Sequence, residues 1–402
     1  MINETISGLR NQLENELLEN ILEFWLEKSP DNINGGFHGY ISNDLKVDTE
    51  HDRASVLNSR ILWTFSSAFR IYGDKRYLNL ATRAYRYIID KFIDNTYSGV
   101  YWMLDCKGNV KNPKKQIYAV AFAIYALTEY HMAAQDRESL THAVELFEAI
   151  ELNAYDSINK GYVEALSRVW GHLKDMALSD KDMNVEKSMN THLHILEAYT
   201  NLLRVWDSPL LRSRLKELIT VFMDHIIDSE TGKFKLFFDM NWDSKSDADS
   251  YGHDIEGSWL IYEAAEVLGD QELLEKVKSL SIRMAGWVYE NGIDGEFGGI
   301  YNESDGRRVF DSNKDWWPQA ESVVGFFNAY RLSGKTFYLD AALKTWDFIQ
   351  NHIVDKVNGE WFWGVSRDGS TVIGNEKAGP WKCPYHNSRM CFEIMRRVDE
   401  DK

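Results

Sequence analysis

The sequence predicts an all-α fold, a ring of six helical hairpins with twelve helices in inner and outer rings. The first observation behind it is a glycine-led, aromatic-rich signature that comes back six times: NGGFHGYIS, SGVYWMLD, KGYVEALS, TGKFKLFFD, FGGIYNES and NGEWFWGVS. One glycine from each (Gly36, Gly99, Gly161, Gly232, Gly299, Gly359) gives intervals of 63, 62, 71, 67 and 60 residues. Self-similarity at such a period marks an array of one supersecondary unit. The second observation is that each interval has room for two helices, and helical periodicity recurs in pairs. The third is that only six prolines occur in 402 residues, as expected where helix interiors exclude them.

The elements follow in order. A charged amphipathic helix occupies MINETISGLRNQLENELLENILEFWLEK. Apolar residues then recur at helical spacing over 61–72, 77–93, 120–134, 142–152, 194–206, 210–227, 255–269, 273–290, 320–332, 337–353 and 390–398. Short turns such as Gly73-Asp74-Lys75 and Ser333-Gly334-Lys335 join members of a pair, with glycine suited to the residue after a helix end. The helix before each turn is richer in small and apolar residues, which predicts an inner ring. The helix after it carries more charge, which predicts an outer one. The aromatic signatures all lead from an outer helix to an inner one, so they should gather as hairpin-like loops on one face and wall a pocket.

No low-complexity tract or linker interrupts the repeat, so residues 1–402 read as a single domain. A net charge of -17 argues against a nucleic-acid partner, which needs clustered cations, and against an anionic membrane surface. Three cysteines (Cys106, Cys383, Cys391) make no disulfide framework and suggest a reducing compartment. There is no signal-peptide pattern at the start and no apolar run of about 18 residues, so the expected location is cytoplasmic. A monomer is the default expectation.

The predicted first turns of the inner helices are unusually polar and aromatic for a core. They hold Arg60 and Trp63, Tyr118, Asn190 and His194, His253 with Glu256 and Trp259, Trp317 and Glu321, and Trp381, His386 and Arg389. A satisfied core polar group explains any one of these, but six in register point to a lumen site. His192 and His194 lie about 200° apart on a helix, so they cannot share a metal. His194 falls on a polar stripe with Asn190, Glu197 and Asn201, and His192 on an apolar one. Glu256, three residues after His253, is placed to hold that imidazole in one tautomer. No zinc motif, Walker loop or dinucleotide fingerprint occurs, so neither metal nor cofactor is expected. Fourteen tryptophans, many in the recurring loops, lean toward carbohydrate, whose C–H faces stack on aromatic rings.

At these residues the chain resembles a known family. MNTHLHILEAY, SYGHDIEGSW, WWPQAESVVGF and GPWKCPYHNSRMCFE, with LNSRILWTFS near the start, resemble the cellobiose 2-epimerases, within the superfamily of N-acylglucosamine 2-epimerases. The resemblance runs in order over essentially the whole chain. It implies an (α/α)6 barrel and cofactor-free, reversible epimerisation at C2 of the reducing-end glucose of β-1,4 disaccharides such as cellobiose and lactose. By position, Arg60, His194, His253, Glu256, Trp317, Glu321 and His386 match the family's catalytic set, and Tyr118, Asn190, Trp259 and Trp381 its substrate-binding residues. Asn58, where some members have His, departs from the pattern. An aldose–ketose isomerase or an N-acetylglucosamine 2-epimerase would share fold and histidines. An inverting glycosidase built on Glu256 and Glu321 is a more distant alternative, and a non-catalytic sugar-binding module would need no imidazoles.

Overall fold

In the computed structural model, which describes residues 2–400, twelve helices form two concentric rings. The inner ring is α2 (Ser55–Tyr72), α4 (Ile117–Ala134), α6 (Met189–Leu203), α8 (Tyr251–Leu268), α10 (Trp316–Ser333) and α12 (Tyr385–Glu400). The outer ring begins with α1, which runs through Ile2–Asn15, a π-helical stretch Glu16–Leu22 and Glu23–Lys28. It continues with α3 (Lys75–Tyr87), α5 (Arg137–Asn153), α7 (Pro209–Val221), α9 (Gln271–Asn291) and α11 (Thr336–Phe348). Three of these, α3, α7 and α11, end in a π-helical turn.

Each inner helix packs on the next, and α12 packs on α2, which closes the ring. Five inner helices are followed by their outer partners. The sixth pair is assembled from the two ends of the chain, α1 against α12. The division into rings follows from composition: every residue from Ile117 to Tyr130 in α4 is buried, so no face of that helix needs to be polar for solvent. This is an (α/α)6 barrel.

Six small antiparallel sheets stitch one face of the ring. The strand leading into each inner helix pairs with the signature hairpin of the next unit: Arg53–Ala54 with Met103–Leu104, Lys115–Gln116 with Ala165–Leu166, and Lys187–Ser188 with Phe237–Phe238. Asp249–Ser250 with Glu303–Ser304 and Lys314–Asp315 with Gly364–Val365 follow. Glu376–Ala378 meets Ile41–Ser42 of the first unit and completes the circle.

A second repeated device, invisible to hydrophobic periodicity, fixes these hairpins. After each outer helix an aspartate (Asp31, Asp94, Asp156, Asp228, Asp294, Asp355) accepts the backbone N–H groups two and three residues on. In five units a buried cation on the following strand reaches that carboxylate. These pairs are Arg53–Asp31, Lys115–Asp94 at 3.0 Å, Lys187–Asp156 at 2.9 Å, Lys314–Asp294 at 3.2 Å and Lys377–Asp355 at 2.7 Å. In the fourth unit the charges are exchanged: Asp249 takes the strand position and pairs with Lys233 of the hairpin at 2.5 Å. A buried lysine is tolerated only when paired, so each latch ties loop to helix.

The helices differ from the sequence expectation at one end. Every inner helix begins three to six residues earlier than its apolar periodicity, for example at Ser55 against 61 and at Tyr385 against 390. Those extra turns carry Arg60, Asn190, His253 and His386, polar residues that break the apolar pattern without breaking the helix.

Candidate active site

The six early turns converge at the stitched end of the barrel. Arg60 comes from α2, Tyr118 from α4, Asn190 and His194 from α6, and His253, Glu256 and Trp259 from α8. Trp317 and Glu321 come from α10, His386 from α12, and Trp381 from the loop before it. Asn190, His253, Trp317 and Trp381 retain exposed surface, while Arg60, His194, Glu256, Glu321 and His386 are buried.

Arg60 is held by aromatic groups. Its Nη2 donates to the Tyr118 hydroxyl at 2.8 Å, and its guanidinium carbon lies 4.3 Å from the centroid of Phe122 and 5.0 Å from that of Tyr385. No carboxylate pairs with it among the described residues, and it is 3% exposed. A buried cation without a counterion is costly unless an anion is to meet it.

The histidines are oriented through their Nδ1 atoms. That of His194 lies 3.0 Å from Glu197 Oε2, that of His253 2.8 Å from Ser250 Oγ, and that of His386 2.7 Å from Glu321 Oε1. In each case Nε2 makes no hydrogen bond among the described residues. Burial pulls the basicity of His253 down to about 3, with the nearby His194 adding to the effect. Burial, then the charges of Arg60 and Arg389, holds His386 well below the usual histidine range. Both imidazoles also pack on Trp317, with ring centroids 4.7 Å away for His253 and 5.6 Å for His386. Gly252 makes that contact possible, since a Cβ there would come within 2.6 Å of the Trp317 ring.

Glu256 behaves differently from its sequence expectation. It meets Arg389 Nη2 at 2.5 Å and lies 3.9 Å from His386 Nδ1, while Ser250 and not Glu256 orients His253. The spacing would allow the pair, but Glu256 is drawn to Arg389 of α12, while Ser250, just before the helix, reaches the imidazole of its first turn. Burial, reinforced by Glu321, raises the Glu256 carboxyl to about 7. Trp259 also departs from the expectation of a sugar platform. It is 1% exposed, donates from Nε1 to Glu321 at 3.1 Å and has Arg389 and Arg397 against its ring. It supports Glu321 from below. Trp63 lies a turn beyond Arg60, stacked on Tyr125 at 5.4 Å and outside the cluster. His192 packs as expected, its Nε2 accepting from Tyr162 N–H at 2.9 Å and its Nδ1 lying 2.6 Å from the Ser188 carbonyl.

Two residues outside the sequence-derived set tie the cluster together. Glu197 receives the Tyr385 hydroxyl and Arg389 on Oε1 and faces His194 with Oε2. Its signal was the three-residue spacing from His194 on the polar stripe. Trp102, in the second signature, sits 6.0 Å from Trp381 at the mouth, and its sequence context gave no sign of this pairing. Among the described residues, Glu256, Glu321 and His386 are the set whose ligand atoms converge, within 4.8 Å of one another. Arg389 already supplies positive charge between the two carboxylates. That closeness is also too tight for a pair of inverting glycosidase carboxylates, which need ~6.5–9.5 Å.

Comparison with known proteins agrees with this architecture. The model of the N-acylglucosamine 2-epimerase (GlcNAc 2-epimerase) family matches residues 35–389. The cellobiose 2-epimerase of Bacteroides fragilis is 46% identical over 387 residues, 96% of this chain and 98% of that protein. The structure of the cellobiose 2-epimerase of Bacillus thermoamylovorans B4167 superposes with a TM-score of 0.93 at 38% identity, covering 97% of this chain and all of that one. A D-mannose isomerase superposes with a TM-score of 0.83 at 19% identity, covering 96% of this chain and 97% of that one, which speaks to the fold alone. The chain belongs to the N-acylglucosamine 2-epimerase family and is an enzyme of the isomerase class. No helix among the described residues is long and apolar enough to cross a membrane.

Proposed function

We propose that this enzyme inverts C2 of the reducing-end glucose of β-1,4 disaccharides, converting cellobiose to glucosyl-mannose and lactose to epilactose, without a cofactor. The observation that carries the reading is the buried Arg60, which no carboxylate neutralises among the described residues, facing a lumen that also holds two imidazoles whose basicity burial lowers. Similarity to proteins named cellobiose 2-epimerases supports the disaccharide. So does the Trp102–Trp381 pair at the mouth, where a second sugar ring would rest.

The chemistry begins with ring opening. The C1 hydroxyl loses its proton, the ring oxygen gains one, and the C1–O5 bond breaks to leave the aldehyde, with His386 Nε2 assisting. One histidine then takes the C2 proton. The C–H electron pair becomes the C1–C2 double bond, and the carbonyl oxygen becomes the anionic oxygen of a cis-enediolate. Arg60 and His194 stabilise that oxygen, an interaction worth about 3–4 kcal/mol per well-placed donor. The second histidine enters protonated and delivers its proton to the opposite face, so that C2 is inverted. Depressed basicity makes each imidazolium a strong donor. Tyr118 holds Arg60, Glu321 orients His386, Asn190 and Trp317 contact the sugar, and Trp381 stacks on it.

Carbon-13 NMR of cellobiose incubated with the purified enzyme and EDTA tests the proposal. A mannose-type reducing end with the glycosidic bond intact is expected. A ketose as the main product would instead support the isomerase reading, and free glucose or unchanged cellobiose would overturn the assignment.

A further inference from the structure

Along the barrel axis the lumen has three tiers. The histidines and Arg60 occupy the first, near the stitched face. About a turn deeper lies a charged layer of Glu197, Glu256, Glu321 and Arg389. Deeper still, a cavity of about 380 Å³ is lined by Trp63, Tyr125, Glu129, Asn201 and Arg204, with Glu197 at its boundary. Arg389 is fully buried and spends both terminal nitrogens on carboxylates from three other helices. Its Nη1 donates to Glu197 Oε1 and to the Tyr385 hydroxyl at 2.5 Å. Its Nη2 donates to Glu256 Oε1 at 2.5 Å and Glu321 Oε1 at 2.6 Å.

Two of those carboxylates are the groups that hold the imidazoles: Glu197 faces His194 at 3.0 Å and Glu321 faces His386 at 2.7 Å. We propose that Arg389 is a positioning residue that sets the orientation and charge of both histidines at once, through Glu197 on one side and Glu321 on the other. Its catalytic consequence rests on the epimerase reading above. The geometry suits an arginine alone, because a planar fork can engage α6, α8 and α10 together, whereas a lysine offers a single point charge. The charged and titratable groups facing it are Tyr125 from α4, Glu197 from α6, Glu256 from α8, Glu321 from α10, and Tyr385 and His386 from α12; Arg60 and His194 lie in the tier above. Burial alone would raise the Glu197 carboxyl, but Arg389 and the bond to His194 outweigh it and hold it below the usual range.

The test uses Arg389→Lys and Glu197→Gln in the full chain, with folding checked by circular dichroism. In Arg389→Lys, kcat on cellobiose should fall at least tenfold with KM within threefold. The acid limb of the pH profile should move upward, because carboxylates that lose the fork bind protons at higher pH. Long-range proton–nitrogen spectra of the imidazoles should show His194 and His386 changed and His192 unchanged. Glu197→Gln should change His194 and leave His386 in place, and it carries the test if the lysine variant does not fold. Unchanged imidazole signals in Arg389→Lys, or an equal response of both histidines to Glu197→Gln, would overturn the proposal. If the wild type leaves cellobiose untouched, the epimerase reading fails, and the imidazole spectra still decide the role of Arg389.

Discussion

Arg60 donates to the Tyr118 hydroxyl at 2.8 Å, and among the described residues no carboxylate neutralises it. Aromatic rings hold the guanidinium in place without cancelling its charge, which on the proposed mechanism would meet an anion that exists only during reaction. On the proposed mechanism this arrangement would favour the enediolate over the neutral sugar.

Replacing Arg60 with Lys should therefore lower kcat by roughly 10²–10³-fold with a smaller change in KM, since the lost interaction belongs to the transition state. Steady-state kinetics with cellobiose check this. A change confined to KM would assign Arg60 to ground-state binding.

The two-histidine scheme makes a separable prediction. His253→Asn and His386→Asn should each abolish net epimerisation, yet each should retain exchange of the C2 proton with solvent in only one of the two epimers, more slowly in His386→Asn, which also loses help with ring opening. The epimer exchanged by one variant should be the one left alone by the other. Proton NMR of glucosyl-glucose and glucosyl-mannose in D2O reads this directly, and loss of exchange in both epimers for both variants would point to a single base.

The repeated latch predicts a stability effect far from the lumen. Asp94→Asn leaves the wholly buried Lys115 unpaired and should cost about 3–5 kcal/mol in denaturant unfolding. Arg168, which reaches the same carboxylate from a side chain 42% exposed, should cost less than about 1 kcal/mol when replaced by Ala. Equal effects would mean that the buried lysine is not what the aspartate is there to hold.

Asp254 sets a pH dependence. Its Oδ1 accepts the Phe234 N–H at 2.7 Å, its Oδ2 makes no close hydrogen bond among the described residues, and burial raises the carboxyl to about 8. An unfolded aspartate releases its proton near about 3.9. The protonated group's contribution is thus fully present below that value and is lost as pH rises through about 8, at up to ~1.4 kcal/mol per pH unit. Between pH 6 and 8 the wild type should lose more stability than Asp254→Asn, which carries no ionisable group there. Parallel curves in urea titrations across that range would contradict this.

The ring and its pairing were legible because six repeats each repeat an apolar period, and twelve helices follow from counting. The beginnings of the inner helices were not, because residues such as Asn190, His253 and His386 put polar groups where a core period should continue. Single-chain positions such as His194 and Glu321 could be placed in the lumen from register alone. Who holds whom could not. Glu256 lies in the right register to serve His253, yet it turns to Arg389, since a partner on a neighbouring helix is invisible to spacing within one helix. The Asp–Lys latches escaped for a related reason: their members lie 20 to 31 residues apart, in segments without periodicity.

The most direct measurement is mass spectrometry and NMR of the disaccharide recovered after turnover in D2O. One deuterium is expected at C2 of the reducing-end residue of the mannose-type product, with the glycosidic bond intact and no label elsewhere. Inversion at C2 with the original hydrogen quantitatively retained there would contradict proton transfer by exchangeable histidines, and with it the central role given to His253, His386 and Arg60.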